Sequence, residues 1–471
     1  MKNYNPYVSG VFTDTDTSIS VKEKYTGVEF AKAGLANEKM LKNAITNAVA
    51  SEKEMENLSS YERYEILKFI ADRLYSERDF FAEIIAKEAG KPLKYALIEV
   101  ERASQTFMIA AEETKRIHSE ILSLDWYSSL KKEAVVKLFP VGTVAGITPF
   151  NFPLNLVAHK VAPAIAAGCP IILKPASATP LSCLELAKII EASPLPKSAF
   201  SVLPMNHTVS KPLIEDDRIK KISFTGSQEI GWEMKKRCGK KRITLELGGN
   251  AAAIITDSTD ITEAVAKCVT GVFAYAGQVC IHTQRIYADK KIYDDFLNKF
   301  LEKTSGLKAG NPLQRDTDIS VLIDEPNAIR VESWINEAVS RGAKILSGGK
   351  REGSYVEPTV LNNTNPEMKV WKDEIFGPVV IIEAYDKFFD ALDMVNNSVY
   401  GLQASVFTNK IDEMNTAFRE IKAGGIMINE SPTFRIDHMP YGGIKESGYG
   451  REGIKYAIHE MSEIKVLVKP V

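Results

Sequence analysis

At 471 residues the chain is too long for one ordinary core, so two or three domains are expected. Its hydrophobic content of 45% and net charge of −2 are those of a soluble globular protein, and give no electrostatic reason to expect nucleic acid or a membrane surface as partner. The longest apolar run, residues 161–173, is cut by Pro163, Gly168 and Pro170 and is too short to span a bilayer.

The N-terminus, MKNYNPYVSG, lacks the basic start and apolar core of a signal peptide. From Leu58 to Ala89 the pattern is helical, with Ser59 and Glu62 as a capping box and Ile66, Phe69, Ile70 and Leu74 at helix spacing. Further helix follows to about Lys115. Residues 122–140 alternate and are rich in β-formers, which predicts an extended hairpin. From Gly142 strands and helices alternate. VAGITPF is followed by a helix to Ala167, then come PIILKP, a helix over 180–192, FSVLP, KISFTG, a helix from Ser227, and ITLEL. Short apolar strands alternating with helices imply a parallel sheet with crossover helices. A second α/β unit begins near Ile261 and includes CIHTQRIYAD, IYDDFLNKFLEK, AKILSGG and PVVIIEAY. The tail YAIHEMSEIKVLVK ends in an alternating strand with no obvious partner.

Five cysteines without a CxxC pair or metal-like spacing to the six histidines suggest a reducing, cytoplasmic setting and no metal site. Several residues invite chemistry, though each has a plain alternative. Cys280 in YAGQVCIHT is a potential thiolate or a small buried hydrophobe. Glu246, between leucines before Gly-Gly, is a base raised by burial or a solvated edge residue. FTGSQEIG, with Gly226 and Ser227, joins a strand to a helix N-terminus, where a phosphate is favoured. Lys174 ends an apolar strand, reaching either a ribose or phosphate or the solvent. Glu374 and Phe376 lie in KDEIFGPVV, which alone could be an ordinary loop.

Together and in this order, PFNFP, LKPAS, FTGS, LELGG, GQVC, EIFGPV and YGGIKESGYGREG resemble the aldehyde dehydrogenase superfamily along nearly the full chain. The resemblance implies an α/β fold. A Rossmann-like NAD(P)-binding domain would span residues 1–121 and 141–247, and a catalytic domain 248–428. An oligomerisation element, 122–140 with 447–471, would pair the hairpin with the tail of a neighbour in a homodimer or homotetramer. It implies Cys280 as nucleophile, Asn151 with the Cys280 N–H as oxyanion hole, and Glu246 as the base that activates water, so that a free acid is the product. Thr148, Pro149, Lys174, Gly226, Ser227, Leu247, Glu374 and Phe376 would bind NAD or NADP. Ser177 stands where many NAD-preferring members carry glutamate, so the repulsion of a 2′-phosphate is absent and NADP should be tolerated.

FNFPLNLVAHK sets Asn151, Asn155 and His159 four apart, on one helix face. By the resemblance this helix lines the substrate tunnel, with Phe152 beside it and Phe434, Arg435 and His438 on the opposite wall. FNFPxNLxAHK and RxDHxP look most like the lactaldehyde and glyceraldehyde(-3-phosphate) branch, so lactaldehyde oxidised to lactate is the first expectation. The plain alternative for Asn155 and His159 is a structural pair. An anionic aldehyde held by Arg435, such as a phosphorylated, sulfonated or succinate-type semialdehyde, is the rival substrate; against a phosphorylated one, Val279 stands before the nucleophile where an arginine is looked for. An inactive binding descendant of the fold is the rival of another class, and the presence of nucleophile, base and oxyanion residue argues against it.

Overall fold

A computed structural model describes residues 2–127 and 130–471. Two large sheets carry the molecule. The first has eight strands. At its centre Arg242–Glu246, Lys221–Thr225, Val144–Ile147, Ile171–Lys174 and Phe200–Val202 lie side by side, all parallel. These strands are buried on both faces, which is why they read as apolar runs rather than alternating ones. The second sheet has seven strands. Ala251–Ile255, Thr283–Asp289, Val379–Tyr385 and Gln403–Phe407 form its parallel centre, and Gly425–Ile428 extends it.

The helices fall close to expectation. Ser60–Ser76 opens with the Ser59–Glu62 capping box, and Arg78–Ala89 follows as a separate helix after Glu77. Leu93–Thr114 packs against both Ser60–Ser76 and Asn155–Ala167. The helix Asn155–Ala167 is buried along its whole length and ends at Gly168 in the left-handed conformation that glycine tolerates (φ 82°). Its N-terminus is capped from a distance: the Glu99 carboxylate accepts the N–H groups of Leu154 and Asn155. Among the described residues no helix is long and apolar enough to cross a membrane.

Three features depart from the sequence reading. The tail strand Ser462–Pro470 does have a partner, and it lies in the same chain. It pairs antiparallel with Lys132–Pro140 over its full length, and Glu120–Ser123 completes a three-stranded sheet. Residues 448–449 do not belong with that tail; they form the edge of the eight-stranded sheet, antiparallel to Arg242–Glu246. Lys2–Tyr4, Ser18–Lys22 and Glu29–Gly34 make a small separate sheet whose short strands carry little periodicity. Residues 128–129 of the expected hairpin lie outside the described residues.

Candidate active site

The parallel strands of the first sheet all end at one rim, where α/β sheets place ligands. Thr148 follows Val144–Ile147, Lys174 closes its strand with Ser177 in the next turn, Gly226 and Ser227 follow Lys221–Thr225, and Leu247 follows Arg242–Glu246. The cleft beside this rim measures about 2020 Å³, larger than the ~300–1,000 Å³ of a small-molecule pocket. Its walls hold Pro149, Asn151, Gly226, Ser227, Glu246, Leu247, Cys280, Glu374 and Phe376.

The rim is built for close approach. A Cβ on Gly226 would stand 2.5 Å from the Phe224 ring, and one on Gly231 2.3 Å from Leu247. The helix Gln228–Arg237 therefore seats tightly on its strand. Its N-cap, Ser227, makes no side-chain capping bond, so its hydroxyl and the first N–H groups are left to bind an anion. Across the cleft, Glu374 Oε1 accepts the Gly249 N–H at 3.0 Å, and burial pushes its carboxyl up to about 7 against that bond and the Arg330 charge. Phe376 holds a left-handed backbone (φ 46°) and packs edge-on against Phe150. Burial lowers the Lys174 ammonium pKa.

Where the two sheets meet lie the groups with reactive chemistry. Among the described residues the other four cysteines are buried, while Cys280 is partly exposed to the cleft. Burial pushes its thiol up to about 11, and a Tyr441 hydroxyl 3.1 Å from Sγ pulls the other way. Three left-handed residues in succession, Tyr275, Ala276 and Gly277, set the turn that presents it. Asn151 donates one Nδ2 hydrogen to the Gln278 carbonyl (3.0 Å), and its buried Oδ1 has no partner among the described residues. Both Glu246 carboxyl oxygens are likewise buried and unpartnered. Burial, then the neighbouring Glu452 charge, raise Glu246 well above the ordinary carboxylate range. Glu452 is also buried, but Lys160, 3.0 Å away, and Arg435 keep it ionised.

Residues 12–467 match the aldehyde dehydrogenase family. The chain belongs to that family. It is 44% identical over 472 aligned positions to a 3-sulfolactaldehyde dehydrogenase of Priestia aryabhattai, covering 99% of this chain and 98% of the relative. It is 43% identical to a lactaldehyde dehydrogenase of Methanococcus aeolicus, covering 96% and 97%. Among solved structures, an aldehyde dehydrogenase from Physcomitrella patens in complex with the product succinate superposes with a TM-score of 0.98 at 43% identity, over 100% and 98% of the two chains. A glyceraldehyde-3-phosphate dehydrogenase from Methanocaldococcus jannaschii, complexed with NADP, superposes with a TM-score of 0.93 at 38% identity, over 97% and 100%. This aldehyde dehydrogenase uses NAD or NADP, and the tight glycine rim, open helix N-terminus and buried Glu374 fit such a dinucleotide.

The expected substrate wall of this aldehyde dehydrogenase is arranged otherwise. Asn155 and His159 do share a face, but it meets the protein rather than the cleft. Asn155 Oδ1 accepts from Thr106, and its Nδ2 donates to Asp437 Oδ1 (3.3 Å). His159 Nε2 lies 2.7 Å from the same oxygen. Phe152 packs edge-on to Tyr275, with the buried Lys91 ammonium 3.7 Å from its ring centre. Phe434 and His438 are exposed on their loop. Arg435 is drawn inward, stacked 3.6 Å from the centre of the Tyr441 ring, with its Nε buried and unpartnered among the described residues. Sequence reading missed Asp437, Tyr441, Arg330 and Lys160. The only signal for Lys160 was a lysine inside an apolar helix, and for Tyr441 an aromatic before Gly-Gly.

Proposed function

We propose that the enzyme oxidises a small 2-hydroxyaldehyde, lactaldehyde in type, to its 2-hydroxy acid through a covalent intermediate on Cys280. The Cys280 thiolate adds to the aldehyde carbon; the C–S bond forms and the carbonyl π electrons move to oxygen. The second Nδ2 hydrogen of Asn151 and the Cys280 N–H stabilise that oxyanion, an arrangement worth about 3–4 kcal/mol per donor. The nicotinamide of NAD or NADP, when bound, supplies the acceptor for the hydride that leaves the carbon as the carbonyl re-forms, leaving a thioester on Cys280. Glu246 takes a proton from water, the resulting hydroxide adds to the thioester, and the C–S bond breaks to give the acid and the thiolate.

The observation that carries the substrate class is Asn151 Oδ1, a buried acceptor that has no partner among the described residues and lines the same cleft as Cys280. A C2 hydroxyl donating to it would remove a desolvation cost of about 1–3 kcal/mol, and an aldehyde without that hydroxyl would leave the cost in place. The relatives named for lactaldehyde and 3-sulfolactaldehyde share this 2-hydroxyaldehyde core. A second reading, an added anionic group at the far carbon, is favoured by the buried Arg435 with its open Nε. Cytoplasmic location and a homodimer or homotetramer accompany the proposal. The apolar side chains exposed on the three-stranded sheet, Ile121, Ile464, Val466 and Leu467, support association.

The test is kcat/KM for lactaldehyde, propanal and 3-sulfolactaldehyde, followed by reduced nicotinamide. A preference of at least about tenfold for lactaldehyde over propanal is expected; equal values would sink the 2-hydroxyaldehyde reading. A further preference for the sulfonate that disappears in Arg435→Gln would select the anionic form.

A further inference from the structure

The Tyr441 hydroxyl is held against the nucleophile, 3.1 Å from Cys280 Sγ, and Sγ is its one hydrogen-bond partner among the described residues. The ring has little freedom. Its backbone exchanges two bonds with Glu452, N–H to O at 3.0 Å and O from N–H at 2.7 Å, and its flanks pack on Ile281 and Leu402. On its other side the Arg435 guanidinium lies 3.6 Å from the ring centre, drawing on the π-density and making the phenol a better donor. The charged groups around the thiol divide. Glu374 and Glu246 oppose a thiolate, Arg435 favours one, and burial opposes it most strongly.

We propose that Tyr441 is a catalytic residue of this enzyme, donating its O–H to the Cys280 sulfur and thereby setting the fraction of reactive thiolate, with Arg435 polarising the phenol from behind. The reading rests on Cys280 being the nucleophile. As the sulfur's charge passes into the new C–S bond the hydrogen bond weakens, so the effect falls on the resting nucleophile. The bond re-forms on the thiolate that departs when the thioester is hydrolysed.

The experiment is alkylation of the cofactor-free enzyme by iodoacetamide as a function of pH, with Cys280→Ser as the control that identifies the reacting thiol. Tyr441→Phe keeps the ring and its stacking; its thermal midpoint and its nicotinamide-cofactor binding report whether the fold is kept. The expected result is a thiolate fraction lowered about tenfold, so that alkylation between pH 7 and 9 falls about tenfold at each pH. A profile that superposes on the parent's overturns the proposal. A fall much larger with N-ethylmaleimide than with the smaller iodoacetamide also overturns it, since a lost donor lowers both rates in the same ratio whereas lost access discriminates by reagent size. The readout involves no aldehyde, so failure of the substrate assignment leaves it untouched. Turnover that survives in Cys280→Ser would instead strike the nucleophile assignment.

Discussion

His159 Nε2 sits 2.7 Å from Asp437 Oδ1, two buried side chains separated by most of the chain. Burial, then the Arg435 charge, lowers the imidazole pKa, so His159 is neutral. Arg435 Nη2 lies 3.4 Å from each of the two ring nitrogens. The Arg102 guanidinium grips the same carboxylate with two bonds, 2.7 and 3.1 Å.

This cluster makes Asp437 a stability determinant with a defined pH window. Burial pushes its carboxyl up, but the His159 bond and the Arg102 charge outweigh burial and hold it well below the usual range. A depressed carboxylate stabilises the fold above its unfolded pKa of about 3.9, and the stabilisation is lost as pH falls below that value. Asp437→Asn should therefore cost about 3 kcal/mol at pH 7. Urea unfolding of the two proteins should show a gap that narrows steadily below pH 4.

Glu246 carries the opposite sign. Burial and Glu452 raise its folded pKa, so ionising it costs stability progressively as pH rises above its unfolded value. Glu246→Gln should raise the urea midpoint at pH 7 or above, where the parent's carboxylate is most costly. The same variant should keep a burst of one reduced nicotinamide per site while steady turnover falls about 10²–10⁴-fold. The parent's kcat should rise with pH through the Glu246 ionisation, and the variant's should lack that limb. Loss of the burst itself would assign Glu246 to an earlier step.

We propose that cofactor choice is read at the turn after Lys174. Ser177 is exposed there and carries no charge to repel a 2′-phosphate. NADP should support kcat/KM within about tenfold of NAD, and Ser177→Glu should lower the NADP value by about tenfold or more while sparing NAD. Comparing the four values decides it; a large NAD preference in the parent would place the 2′-position elsewhere.

Gly249 lies against the backbone of Cys280, the proposed nucleophile. A Cβ there would stand 2.2 Å from the Cys280 carbonyl oxygen, a backbone atom with no rotamer to yield. Gly249→Ala should displace Cys280 by a fraction of an ångström to about an ångström, and cut kcat by about 10²-fold. Retained cofactor binding, measured by fluorescence quenching, would separate this from general unfolding.

The sequence was most informative where local chemistry decides the outcome. The glycine turns after buried strands located the rim that gathers Gly226, Ser227 and Leu247, because a strand end, a turn and a helix start are all written within a few residues. The spacing of Asn155 and His159 gave their common face but could not say what that face meets. Their partner Asp437 arrives from almost three hundred positions away. An alternating tail announces that it needs a neighbour without saying whose, and here the neighbour is Lys132–Pro140 of the same chain. Tyr441 and Arg330 were illegible for a similar reason. An aromatic or an arginine acquires a role only from what long-range packing sets beside it.

The pairing of Glu246 with Gly448 has a consequence for how activity arises during synthesis. The strand bearing Glu246, the proposed general base, is flanked on one side by Lys221–Thr225, already available, and on the other by residues translated some two hundred positions later. Glu452, whose charge tunes that base, and Tyr441 emerge in the same late stretch. A nascent chain can therefore assemble most of its nucleotide rim on the ribosome while its hydrolytic centre stays unfinished. That closure, like the still later pairing of Ser462–Pro470 with Lys132–Pro140, is non-local, the kind that folds slowest, and on the proposed mechanism it completes the hydrolytic step.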